Sequence, residues 1–158
     1  MLLKGAREGL RTLLNATQGK IITIFGMPLP LDNQLFNVAV VAQKGKILGI
    51  VPKTYLPGHG EFYEERRFAS ANDALSTEVQ LDGEKIPFGT DIIFQDPENP
   101  QCSFGVELCE DAWVPIPPSA EHSLAGAMVT FNLSASNEVI GKNAYRKDLV
   151  KSLSAQHK

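Results

Sequence analysis

Two apolar runs, Leu35 to Gln43 and Ile47 to Val51, flank Lys44-Gly45-Lys46 and read as a β-hairpin. Just before them, Ile21-Ile22-Thr23-Ile24-Phe25 is β-branched on both faces, the pattern of a strand buried between layers. Such a sheet needs cover on each side, and the ends of the chain offer helices. Leu3, Ala6, Leu10, Leu13 and Leu14 recur at helical spacing with Lys4, Arg7, Glu8 and Arg11 between them, and Asn15 and Gly19 are stop signals. Tyr145, Leu149 and Leu153 mark a final helix.

Between these ends, Glu78 to Leu81, Asp91 to Gln95 and Ser103 to Leu108 are expected as strands. Pro115, Pro117 and Pro118 then interrupt, Ser119 is placed to cap a helix reaching about Ala127, and Met128 to Leu133 reads as a buried strand. The order is helix, strands, long loop, strands, helix, strand, helix, which predicts a layered α/β or α+β protein without internal repeat or linker.

Charge and cysteine usage exclude several functions. With 18 acidic against 15 basic residues and a net charge of -3, the chain has no positive field to hold nucleic acid. Its longest strongly apolar run, Val38 to Ala42, is far short of the roughly 20 residues that cross a bilayer, so no membrane span is expected. The first residues lack the basic and apolar regions of a signal peptide, which makes the expected compartment the cytoplasm. Cys102 and Cys109 are too few for a disulfide scaffold, and His59, His122 and His157 are too scattered to suggest a metal. Gly58-His59-Gly60 lacks the third glycine of a dinucleotide loop, and no nucleophile-elbow serine occurs.

Four places carry residues capable of chemistry. The irregular stretch from Pro52 to Ser70 is long enough to suggest a functional loop. Lys53 opens it, either as a solvated strand end or as an ammonium turned into a site that supports an oxyanion or moves a proton. Glu61, Glu64, Glu65, Arg66 and Arg67 form a charge cluster within it, where Phe62, Tyr63 and Phe68 imply that part of the loop packs down. Cys109 directly follows a strand and precedes Glu110 and Asp111; it either fills a core gap or faces the amides of a short helix that favour a thiolate. Asn132 to Asn137 supplies small polar groups at the carboxyl end of the last apolar strand, as an ordinary turn or as part of a ligand site.

Taken together, Val51-Pro52-Lys53-Thr54-Tyr55-Leu56-Pro57, Glu61-Phe62-Tyr63-Glu64, Gly105 through Trp113 and Asn132-Leu133-Ser134-Ala135-Ser136 resemble the nitrilase (carbon-nitrogen hydrolase) superfamily. Within it they look like the glutamine amidotransferase domains of glutamine-dependent NAD synthetases. The resemblance implies an α-β-β-α sandwich and a Glu-Lys-Cys triad. Cys109 would attack the side-chain amide of glutamine, Lys53 would support the tetrahedral intermediate, and a glutamate would act as general base. Ammonia would leave and water would release glutamate from the Cys109 thioester. The substrate-holding positions fall on His59, where the family usually has tyrosine, and on Ser136 and Lys142, with Glu110 and Trp113 lining the pocket. Glu64 resembles the family's additional loop glutamate, with Glu61 as the nearby alternative.

By the same resemblance the glutaminase step uses no metal or cofactor, and ATP and deamido-NAD act only in a synthetase domain whose Ser-Gly-Gly motif is not in this sequence. Residues 1–158 are then expected to be the central portion of the hydrolase domain, truncated at both ends, with the general-base glutamate falling before the opening helix. Such a piece is expected to be inactive alone, to need the synthetase domain or subunit as a partner, and to form homo-oligomers through exposed sheet edges. The alternatives are a stand-alone amidase acting on another small amide and a non-catalytic remnant.

Overall fold

The computed structural model describes residues 1–19 and 21–157. Its elements are α1 (Leu2–Ala16), β1 (Ile22–Leu31), β2 (Gln34–Gln43), β3 (Lys46–Pro52), β4 (Glu78–Leu81), β5 (Glu84–Pro87), β6 (Phe94–Gln95), β7 (Ser103–Leu108), α2 (Pro118–Leu124), β8 (Val129–Leu133) and α3 (Lys142–Gln156). Short 3-10 turns occur at Glu64–Arg66, Ala71–Asp73 and Cys109–Trp113. No helix among the described residues is long and apolar enough to cross a membrane.

Strict alternation on β2 builds the layers. Phe36, Val38 and Val40 pack with Leu10 of α1, Leu29 of β1, and Val79 and Ile86 of the β4-β5 hairpin. Ala39 and Val41, on the opposite face, pack with Val51 of β3, Phe94 of β6, and Phe104, Val106 and Leu108 of β7. The antiparallel sheet β1-β2-β3 therefore lies against a second sheet, β6-β7-β8, in which β8 runs parallel to β7. With α1 outside the first sheet and α2 and α3 outside the second, the architecture is the α-β-β-α sandwich that the motifs imply. Burying each Val, Ile or Phe of these two apolar layers contributes about 1.5–3 kcal/mol.

Two hairpins go beyond the expected pattern. β1 does not end near Phe25 but continues through Pro28 and Pro30 to Leu31, because it is an edge strand and its unpaired side tolerates proline. It turns into β2 at Asp32 and Asn33, whose φ values of 52° and 58° make the left-handed two-residue turn that matches strand twist. Lys44-Gly45 makes the anticipated turn in the same way, and Asp82-Gly83 joins β4 to the unanticipated β5. The Asp32 carboxylate accepts the Leu75 and Ser76 amides and the Ser76 hydroxyl, contacts that hold its carboxyl below the usual range.

Four expectations are corrected. The stretch Ile21 to Phe25 is not buried between layers: it opens an edge strand, leaving Ile21 70% and Ile22 40% exposed. The strand expected over Asp91 to Gln95 shrinks to Phe94–Gln95. Ser119 does not cap α2, because Pro118 takes the first helical position and the Ser119 amide instead donates to Glu107 Oε2 at 3.0 Å. β8 is not buried: it pairs only with β7 at the edge of its sheet, leaving Val129 50% and Phe131 45% exposed. On the other side of β7, Gly105 lets α2 approach, since a Cβ there would lie 2.4 Å from His122 Nδ1.

Candidate active site

Lys53 follows β3 with the same parity as Val51, so its side chain enters the layer between the sheets and is only 2% exposed. Its amide donates to Asn37 O at 2.9 Å, extending the β2-β3 ladder. An ammonium so placed needs a counter-charge. Lys53 Nζ donates to Glu64 Oε2, and Asn37 Nδ2 donates to Glu64 Oε1 at 3.0 Å. The structure therefore brings Glu64 to Lys53. Glu61 lies apart from it and accepts a hydrogen bond from Asn137 Nδ2.

Cys109 ends β7. Phe104, Val106 and Leu108 face the first sheet, so strict alternation would turn Cys109 toward α2 along with Gly105 and Glu107. The alternation breaks at Cys109 itself, whose φ of 49° is left-handed and costs a non-glycine residue about 1–3 kcal/mol. The half-buried thiol instead lines a cleft with Lys53. Asn132 Nδ2 donates to the Cys109 carbonyl at 3.2 Å and to Glu107 Oε1 at 3.1 Å, and Ser134 Oγ donates to Cys109 Sγ at 3.4 Å.

Asp111 secures this turn to the lysine loop. Its Oδ2 accepts the Leu108 amide at 3.0 Å, while Oδ1 accepts the amides of Thr54 at 3.1 Å and Tyr55 at 2.8 Å. The residue is 1% exposed, and burial pushes its carboxyl up to about 6 even though these three N–H groups favour the charged form.

Two clefts meet at Cys109, sharing Pro57 and Phe62. The one of about 350 Å³ is lined by Asn37, Lys53, Glu64 and Ser134. The other, about 160 Å³, is lined by His59, Glu110, Trp113, Ser136 and Lys142, so the five residues expected to hold substrate surround one space beside the thiol. Lys142 Nζ donates to Asn137 Oδ1 and lies 5.9 Å from the ring centroids of Phe62 and Trp113, and Trp113 stacks on Tyr145 at 5.5 Å. A groove of about 520 Å³ between α2, β8 and α3 is larger but contains neither Cys109 nor Lys53. Among the described residues, no group of three or more His, Cys, Asp or Glu is placed to hold a metal.

The glutamine-dependent NAD(+) synthetase of Mycobacterium tuberculosis is 40% identical over 156 residues, which are 98% of this chain and 23% of that protein. The chain is homologous to one segment of the glutamine-dependent NAD(+) synthetases. The synthetase of that name from Thermotoga maritima is 32% identical over 147 residues, 92% of this chain and 22% of the relative. Among solved structures, the Acinetobacter baumannii glutamine-dependent NAD+ synthetase superposes with a TM-score of 0.77 at 25% identity, covering 99% of this chain and 26% of that one. An amidase of the nitrilase superfamily from Nesterenkonia AN1 superposes with a TM-score of 0.67 at 15% identity, covering 98% and 49%, a likeness of fold. The chain thus spans about a quarter of the length of the synthetases it matches. No protein-family model matches it.

Asn37, Glu107, Asp111, Asn132 and Ser134 complete the site without having been singled out individually from the sequence. Asn37 and Glu107 carried a signal there, each being a polar residue inside an otherwise apolar strand. Ser134 belongs to the small polar run at the carboxyl end of the last apolar strand and Asp111 to the stretch after Cys109, but the partner of each depends on which distant segments meet.

Proposed function

We propose that this site hydrolyses the side-chain amide of glutamine, as the ammonia-supplying part of a synthetase of the matched kind. The observation that carries the reading is the juxtaposition at Cys109 of a cleft floored by Lys53 and a second cleft with Glu110 and Lys142 on its walls. A carboxylate and an ammonium in one small space complement the amine and carboxylate of a free amino acid, leaving its side-chain amide to reach the sulfur.

In this reading Cys109 Sγ bonds to the amide carbon, and Lys53 supports the developing oxyanion. The proton lost by the thiol passes through the general base to the amide nitrogen, the C–N bond breaks and ammonia leaves; water then adds its hydroxide to the thioester carbon, giving glutamate, and its proton returns to the sulfur as free thiol. Glu64 is a supporting carboxylate, since Lys53 and Asn37 occupy both of its oxygens. In this reading the general base is a further glutamate, and residues 1–158 by themselves have little or no amidase activity. The amide step itself uses no metal or cofactor. ATP and deamido-NAD serve a synthetase domain or subunit that receives the ammonia, and that domain or subunit is the partner.

Binding tests the reading without requiring turnover. Trp113 is the single tryptophan of the sequence and lines the substrate cleft, so its fluorescence reports occupancy. Glutamine is expected to change the emission saturably, Lys142→Ala to weaken the response at least several-fold, and acetamide to give none. A response to acetamide equal to that of glutamine, or no response to glutamine, would overturn the assignment.

A further inference from the structure

We propose that Ser134 is a further catalytic residue, donating its hydroxyl proton in a hydrogen bond to Cys109 Sγ and so favouring the attacking, anionic form of the sulfur. The inference rests on Cys109 being the nucleophile. Backbone register creates the contact: β8 runs parallel to β7 with Asn132 opposite Glu107 and Leu133 opposite Leu108. The next residues, Ser134 and Cys109, therefore emerge side by side at the carboxyl end of the sheet, where α/β folds place their ligand sites.

The immediate surroundings fix the pair. Asn132 grips the Cys109 carbonyl at 3.2 Å, which holds the left-handed turn against β8, and Ser134 Oγ then lies 3.4 Å from Sγ. Lys53, the cation of the same cleft, donates to Glu64. A hydroxyl is a rotatable donor, and its bond to an anionic sulfur is charge-assisted, whereas a neutral thiol is a weak acceptor. Ser134 thus favours one protonation state of the sulfur over the other, which bulk packing would not do.

The test is alkylation by iodoacetamide, in which the thiol proton goes to solvent and the sulfur displaces iodide to form a thioether. Cys102, exposed and outside both clefts, serves as the internal reference on the same chain. Peptide mapping of Ser134→Ala at pH 7 should show the Cys109-to-Cys102 rate ratio reduced about three- to tenfold, the scale of one solvent-accessible charge-assisted hydrogen bond. The deficit should close by about pH 10, above the ordinary thiol range. Ser134→Thr, which keeps the hydroxyl, should restore most of the rate. An unchanged ratio, a deficit constant across pH, or a threonine variant as slow as alanine overturns the proposal. The assay contains no glutamine, so failure of the glutaminase reading and failure of this one are separate outcomes.

Discussion

Asp111→Asn should change how the stability of the fold depends on pH more than it changes stability at any single pH. Burial raises the Asp111 carboxyl from 3.8 to about 6. Between those values the folded chain holds a proton that the unfolded chain has released. Stability therefore falls as pH rises through the window and levels off above it. A rise of about two units corresponds to about 3 kcal/mol. Asparagine cannot titrate, so the variant lacks this slope. It can keep its oxygen toward Thr54 and Tyr55, but its NH₂ then meets the Leu108 amide, donor against donor, at a cost of about 1–3 kcal/mol. The variant should accordingly be less stable than the parent near pH 4, and level with it or up to about 2 kcal/mol more stable near pH 7. Urea denaturation of both proteins across this range measures the difference, in which groups such as Asp32, whose lowered carboxyl loses stability as pH falls, cancel. Parallel stability curves for the two proteins would refute the reasoning.

Two further outcomes follow from the site geometry. At the left-handed Cys109, glycine relieves strain that alanine retains, so Cys109→Gly should be about 1 kcal/mol more stable than Cys109→Ala, reversing the usual order of those residues, in paired thermal melts. Lys53→Met strands the Glu64 carboxylate and should cost about 2–4 kcal/mol, while adding Glu64→Gln should recover a large part of it. A denaturation double-mutant cycle reads this coupling, and additive effects would contradict the buried pair.

Local chemistry made much of the fold legible. The α1 stripe and the Lys44-Gly45 hairpin are each written within a few neighbouring residues. The β-branched pattern marks a strand only as far as Phe25, whereas the strand continues through Pro28 and Pro30 because proline breaks a central strand but not an edge, and edge position depends on topology. Met128 to Leu133 misled for the related reason that an apolar run does not say whether a neighbour covers it. His59, Glu110, Trp113, Ser136 and Lys142, singled out through the motifs, line one space beside Cys109. The left-handed backbone of Cys109, the three amides on Asp111 and the hydroxyl of Ser134 were beyond reach. Each depends on the register of segments far apart in the chain, Leu108 with Leu133 and Asp111 with Thr54 and Tyr55.

Selective labelling tests whether Cys109 is the proposed nucleophile at the mouth of a glutamine-binding cleft. An electrophilic analogue of glutamine, offered to the chain and mapped by mass spectrometry, should form one adduct on Cys109. Cys102 should stay free, the adduct should vanish in Cys109→Ala, and excess glutamine should slow its formation. Equal labelling of Cys102 and Cys109, or labelling of Cys109 that glutamine does not slow, would contradict the account.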